Sequence, residues 1–218
     1  MGNELEHRSF LCEIRAKENE GNESVLIGRP IVYESKTDIC GWFEEVIAKG
    51  ALDKADLKDV RFLVNHDLSK IPLARSRNNN GNSTMKLDPN ENGLDVEVKL
   101  DTENNADARA LFSAVKRGDI SGMSFMFSVR DDEWQDVDSD YPTRIIKAIK
   151  DVVEVSACTF PAYDETEIST RSSSKNEVLD SARLALDNAR SKRSKSLDND
   201  NDLDLLKAKF NFFLEMED

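Results

Sequence analysis

Only two histidines, His7 and His66, occur among the 218 residues. Chemistry that needs an imidazole titrating near neutral pH therefore has almost no choice of residue. His7 stands at the start of the chain. His66 ends the run VRFLVNH (60–66), in which Val60, Phe62, Val64 and His66 share one face, and a polar turn follows it. Strand ends that feed loops are common places for catalytic groups, although a lone histidine there also serves structure or surface. Ser124 lies in GDISGMSFMFSVRDD (118–132), where Met123, Phe125, Phe127 and Val129 alternate with Ser124, Met126 and Ser128. Alternation of this kind puts Ser124 on the strand face opposite the aromatics. A serine so placed is either filler or a nucleophile held on a rigid element. Glu154, in DVVEVSACTFPAY (151–163), stands among Val152, Val153 and Val155 and shares a side with Val152, Ser156 and Cys158. It either faces solvent or, if buried, needs a partner.

Other chemistries find no footing. There is no His-x-x-x-His, no Cys-x-x-Cys and no glycine loop that would cradle a phosphate. DNDNDLD (198–204) resembles a calcium loop but lacks its glycine and terminal glutamate. No metal and no cofactor is expected. The local pattern Ser-Gly-Met-Ser-Phe is not a Gly-x-Ser-x-Gly elbow, so an α/β-hydrolase reading fails. A net charge of −13 argues against nucleic acid or an anionic membrane as the main partner. Three cysteines, Cys12, Cys40 and Cys158, are an odd number without metal-like spacing and suit free thiols in a reducing compartment. The opening MGNELEHRSF has no basic segment followed by an apolar run, so no signal peptide is expected, and Glu6 breaks a myristoylation pattern. The apolar runs are too short to span a bilayer.

The candidate residues need elements to hold them. Short strands are expected at 10–16, 24–34, 60–66, 83–88, 93–100, 123–129 and 152–160, about seven in all, which points to a sandwich or barrel. Two helices interrupt them. One is short, ALDKADL (51–57). The other, 105–118, places Ala108, Leu111, Phe112 and Val115 at helical spacing, with Asn105 as N-cap and Gly118 as the stop. After Pro161 the composition changes. The chain divides into 1–170 and a polar linker and tail, 171–218, whose stripes Val178, Ala182, Ala185, Ala189 and Leu203, Leu206, Phe210, Phe213 suggest amphipathic docking or oligomerising helices.

Taken together, VNHD…IPLAR, KRGDISGMSFMF and VVEVSACTFPAYDET resemble the three motifs of the prohead serine proteases of tailed bacteriophages. GRPIVYES and FEEVIAKGAL resemble that family's opening strand and its turn into the first helix. The likeness covers roughly residues 8–170. It implies a fold similar to the herpesvirus assembly protease: mainly β with helices, a closed antiparallel barrel ringed by helices. It also implies a serine endopeptidase that cleaves the capsid protein's scaffolding segment, or a separate scaffold protein, and itself, inside the procapsid in the host cytoplasm. Activation by self-association is part of that expectation.

Carried over motif by motif, the resemblance makes Ser124 the nucleophile, with Ser121 the weaker candidate. It makes His66 the general base and Glu154 the third member, which Asp67 or Asp151 could replace. A histidine base implies loss of rate on protonation below about pH 6. Arg75 and the PAYDET loop are candidates for stabilising the oxyanion. The chain departs from the family at Met126 and Ala74, where glycine is usual; Met126 is in phase with Ser124 and could narrow the cleft. Two other readings remain at this point: a non-catalytic scaffold or assembly factor that binds capsid subunits, and a metal-dependent hydrolase around His66 and Asp67.

Overall fold

The computed structural model describes residues 5–10, 14–18, 23–159 and 180–195. Eleven strands account for most of them: β1 (Glu6–Phe10), β2 (Ile14–Glu18), β3 (Ser24–Val32), β4 (Thr37–Ile39), β5 (Phe43–Ile47), β6 (Arg61–Val64), β7 (Ala74–Arg75), β8 (Met85–Asn90), β9 (Gly93–Leu100), β10 (Gly122–Gln135) and β11 (Thr143–Cys158). They form two sheets. The larger runs β1-β10-β11-β5-β4, with β6 paired to β11 and β7 to β6; the smaller runs β2-β3-β9-β8. Side chains from both, among them Phe62, Phe125 and Val155 of the first and Leu26, Leu94 and Val98 of the second, pack into one core. Burying each such side chain contributes about 1.5–3 kcal/mol, so the strand that carries Ser124 is anchored through its aromatic face.

The expected closed antiparallel barrel of about seven strands does not form. Among the described residues neither sheet closes on itself, and β11 pairs in parallel with both β5 and β6. Alternation specifies strands and their buried faces, but closure requires the last strand to ladder with the first. Here β7 and β8 meet only around one residue, where Thr84 N donates to Arg75 O at 3.0 Å. β1 and β2, read from sequence as one strand over 10–16, lie in different sheets on either side of residues outside the description.

Helix α1 (Ala106–Arg117) follows the sequence expectation. Asn105 accepts from the main-chain N–H groups of Asp107 and Ala108, and Gly118 closes the helix at φ 82°. Ala108, Leu111, Phe112 and Val115 are buried. The short helix expected at 51–57 is instead a series of turns, with Ala51 N bonded to Ala48 O and Asp53 N to Gly50 O. A seven-residue segment gains too few hydrogen bonds to offset nucleation. Burial of Ala51 and Leu52 in the core takes precedence.

A second helix, α2, occupies 180–195. Its Ala182 and Leu186 pack on Ile39 and Phe43, with Trp134 alongside. Ala185 and Ala189 of the same stripe are half-buried, while Val178 and the whole Leu203–Phe213 stripe lie outside the described residues. No described helix is long and apolar enough to cross a membrane.

The β8–β9 hairpin depends on Gly93. Its φ is 144°, and a Cβ built there would stand 1.9 Å from the Ile31 carbonyl oxygen. Gly93→Ala is therefore expected to destabilise the fold by roughly 3 kcal/mol or more, through strain and backbone displacement. An unchanged chemical-denaturation midpoint would contradict this.

Candidate active site

Strand pairing brings the candidate residues together. β10 and β11 are antiparallel, with Ser124 opposite Ser156 and Met126 opposite Glu154. Residues opposite one another in an antiparallel pair project to the same face, so serine and glutamate share one side of the sheet. On the far edge of β11, β6 runs parallel and pairs Glu154 with Arg61 and Ala157 with Val64. The chain then turns through Asn65 and His66, both with positive φ, 53° and 58°. Left-handed backbone at two consecutive non-glycine residues costs on the order of 1–3 kcal/mol each and persists only where surroundings enforce it. Here Asn65 exchanges two 2.9 Å bonds with Thr159, and His66 N donates to Ser156 Oγ at 3.1 Å. The turn swings the imidazole back over β11 toward β10.

His66 Nε2 lies 2.5 Å from Ser124 Oγ. His66 Nδ1 contacts Glu154 Oε1. Ser156 Oγ donates to the other carboxylate oxygen at 2.7 Å. Ser124 and Glu154 are fully buried and His66 nearly so. Glu154 is thus not the solvent-facing residue that its sequence also allowed. Burial by itself would lower the His66 pKa, but hydrogen bonds to Cys158 and Glu154, together with their charge, outweigh it and hold the ring at about 10. With both ring nitrogens protonated, Nδ1–H donates to Glu154 and Nε2–H to Ser124 Oγ. The Ser124 hydroxyl is then free to donate elsewhere, and it does so to the main-chain oxygen of Arg8 at 2.7 Å.

The alternative assignments lie elsewhere. Ser121 precedes β10 and is exposed. The Asp67 carboxylate turns to Ser69, accepting from its N–H at 3.0 Å and its hydroxyl at 2.5 Å. Asp151 lies opposite Ser128, and its backbone bridges to Asp56. With both His66 nitrogens engaged and Asp67 turned away, the pair does not form a metal-binding couple. Arg75 forms a two-point ion pair with Asp59 at 2.5 and 2.7 Å, and PAYDET lies outside the described residues. Met126 is buried and pairs in register with His7 of β1.

Sequence reasoning passed over two participants. Ser156 links the backbone of His66 to the carboxylate of Glu154, and Cys158 helps to raise the His66 pKa. Both were visible as the continuation of the Glu154 face, two and four residues on. It also gave no role to Arg8, whose partners Glu45 and Ser181 are far away in the chain.

A serine hydroxyl, an imidazole and a buried carboxylate in contact order can lower the barrier to acyl transfer: the ring accepts the hydroxyl proton while the acid orients it and stabilises its charge. Comparison with known proteins gives the same class. The chain is 30% identical over 158 residues to the prohead protease of Enterobacteria phage HK97, covering 71% of this chain and 63% of that protein. The chain thus aligns with somewhat under two thirds of that relative's length. Among solved structures, the capsid assembly protease of bacteriophage T4 is similar over 72% of this chain and 98% of that one, with 14% identity and a TM-score of 0.45. The family described as Caudovirus prohead serine protease matches residues 11–181. That span contains Ser124, His66 and Glu154 and reaches the first turn of α2, and on it this chain belongs to the caudovirus prohead serine protease family.

Proposed function

We propose that this chain is a serine endopeptidase of procapsid maturation, with Ser124 as nucleophile, His66 as general base and acid, and Glu154 as the residue that orients the imidazole. The observation that carries the reading is the unbroken contact path from Ser124 Oγ through both ring nitrogens to Glu154. In the reaction, His66 accepts the Ser124 proton as Oγ attacks the carbonyl carbon. It then protonates the leaving amine, and water hydrolyses the acyl-enzyme by the same path in reverse. Its substrate is the scaffolding segment of the capsid protein or a separate scaffold protein, together with the chain itself, inside the procapsid. Residues 1–170 form the protease, and 171–218 steer it into the particle.

The test is co-expression with the capsid protein of the same phage, read by intact mass and by sequencing of new termini. A shortened capsid or scaffold partner is expected. A stable complex with every mass unchanged would overturn the enzyme reading in favour of a non-catalytic assembly factor.

A further inference from the structure

The nucleophile is sealed by the chain's own N-terminal strand. β1 is the edge strand of the larger sheet and pairs antiparallel with β10, placing Ser9 opposite Ser124 and Arg8 opposite Phe125. The peptide group between Arg8 and Ser9 therefore lies against the site, and its carbonyl oxygen is the one that Ser124 Oγ contacts. An extended peptide added to an exposed sheet edge is a general mode of peptide binding, in which main-chain pairing supplies affinity and alternate side chains supply specificity.

The alternate side chains of β1 enter a built, charged site. Arg8 is fully buried. Its guanidinium makes a two-point bond to Glu45, Nε to Oε1 at 2.5 Å and Nη2 to Oε2 at 2.8 Å. It lies 5.8 Å from the Phe127 ring centroid and reaches Ser181 of α2 at 3.5 Å. Glu6, two residues earlier on the same face, bonds Arg144 through both oxygens at 2.6 and 2.8 Å and also meets Arg8 at 2.7 Å. Arg144 is held in turn by Glu45 at 3.1 Å and Asp132 at 2.8 Å. Buried ion pairs contribute little net stability but discriminate strongly, because removing one partner strands the other.

We infer that β1 occupies the substrate's place, and that Glu45 and Arg144 select peptides with a basic side chain immediately before the cleaved bond and an acidic one two residues earlier. This rests on the serine endopeptidase reading. In the chain itself, the bond so presented is Arg8–Ser9. Attack of Ser124 Oγ on the Arg8 carbonyl carbon forms an ester and breaks that bond, the Oγ proton passing through His66 to the Ser9 amine. Water then hydrolyses the ester, restoring Ser124 and releasing residues 1–8 with a new carboxylate.

The experiment uses the full chain and the peptide Leu-Glu-His-Arg-Ser-Phe. Replacing its arginine by the uncharged isostere citrulline is expected to lower kcat/KM on the order of 100-fold or more, and replacing its glutamate by glutamine about tenfold. Glu45→Gln should erase most of the arginine-to-citrulline difference. By intact mass, the wild-type chain should convert to a form that begins at Ser9, and Arg8→Ala and Ser124→Ala should not. If Glu45→Gln fails to fold, the wild-type peptide ratio decides alone. Ser124-dependent cleavage with equal turnover of the two peptides, or at ends unrelated to Arg8, overturns the specificity and leaves the protease reading intact. Absence of any Ser124-dependent cleavage overturns both.

Discussion

Ser124→Ala is expected to lower peptide and capsid-protein cleavage by at least about 10⁴-fold while leaving the fold in place. The substitution removes one oxygen atom from a fully buried position. What is lost is a hydrogen bond to the Arg8 carbonyl and a contact with His66, not a packing element, since the strand is anchored by Phe125 and Phe127 on its other face. Catalytic groups that act as a unit are not additive, so His66→Ala should cost about as much, and the double variant little more than either alone. The measurement is single-turnover cleavage beside thermal unfolding of each variant. Residual activity in Ser124→Ala within tenfold of wild type would remove it from the nucleophile's role.

The second large effect concerns Glu154 and pH. The imidazole must be neutral to accept the Ser124 proton, yet its contacts with Cys158 and Glu154 raise its pKa from 6.5 to about 10 despite burial. A raised pKa keeps the ring protonated through neutral pH. In the free enzyme kcat/KM should therefore climb about tenfold per pH unit from pH 7 and level off near 10, not at the pH 6 expected of an unperturbed histidine. Glu154→Gln removes the carboxylate charge, so the protonated ring loses its stabilisation and the inflection moves toward acid. The same change frees the ring to adopt the wrong tautomer and orientation, and the plateau rate should fall by roughly 10³–10⁴. The two readouts separate a positioning acid from a merely structural one. A plateau that drops with the inflection unmoved would mean that Glu154 does not set the proton affinity of His66.

The strong preference for the protonated ring has a consequence for the resting state. With both ring N–H groups donating, Ser124 gives its proton to a main-chain oxygen rather than to its base. Ser124 is fully buried, with β1 paired alongside its strand.

How much of this could be read from the chain depends on how local the cause is. Helix α1 was legible to its ends, because Asn105, Gly118 and the spacing of Ala108, Leu111, Phe112 and Val115 act within a few residues of one another. The face on which Ser124 lies, and the face shared by Glu154, Ser156 and Cys158, followed from alternation alone. The two acidic alternatives, Asp67 and Asp151, could not be set aside from sequence. What separates them from Glu154 is the left-handed turn at Asn65 and His66, whose direction is enforced by Thr159 and Ser156 on another strand.

The sequence by itself determined the strand-rich character, the buried faces and the short set of residues with usable chemistry, since each depends on side-chain type and on periods of two or four along the chain. Only the tertiary structure decided that the sheets stay open, that β11 takes parallel partners on one edge, and that Arg8, Glu45 and Arg144 meet in one buried cluster. Those outcomes depend on which edges find one another across 37 to 138 residues of chain. They are settled by the competing costs of burying charge and leaving backbone groups unpaired, and no local pattern encodes that balance.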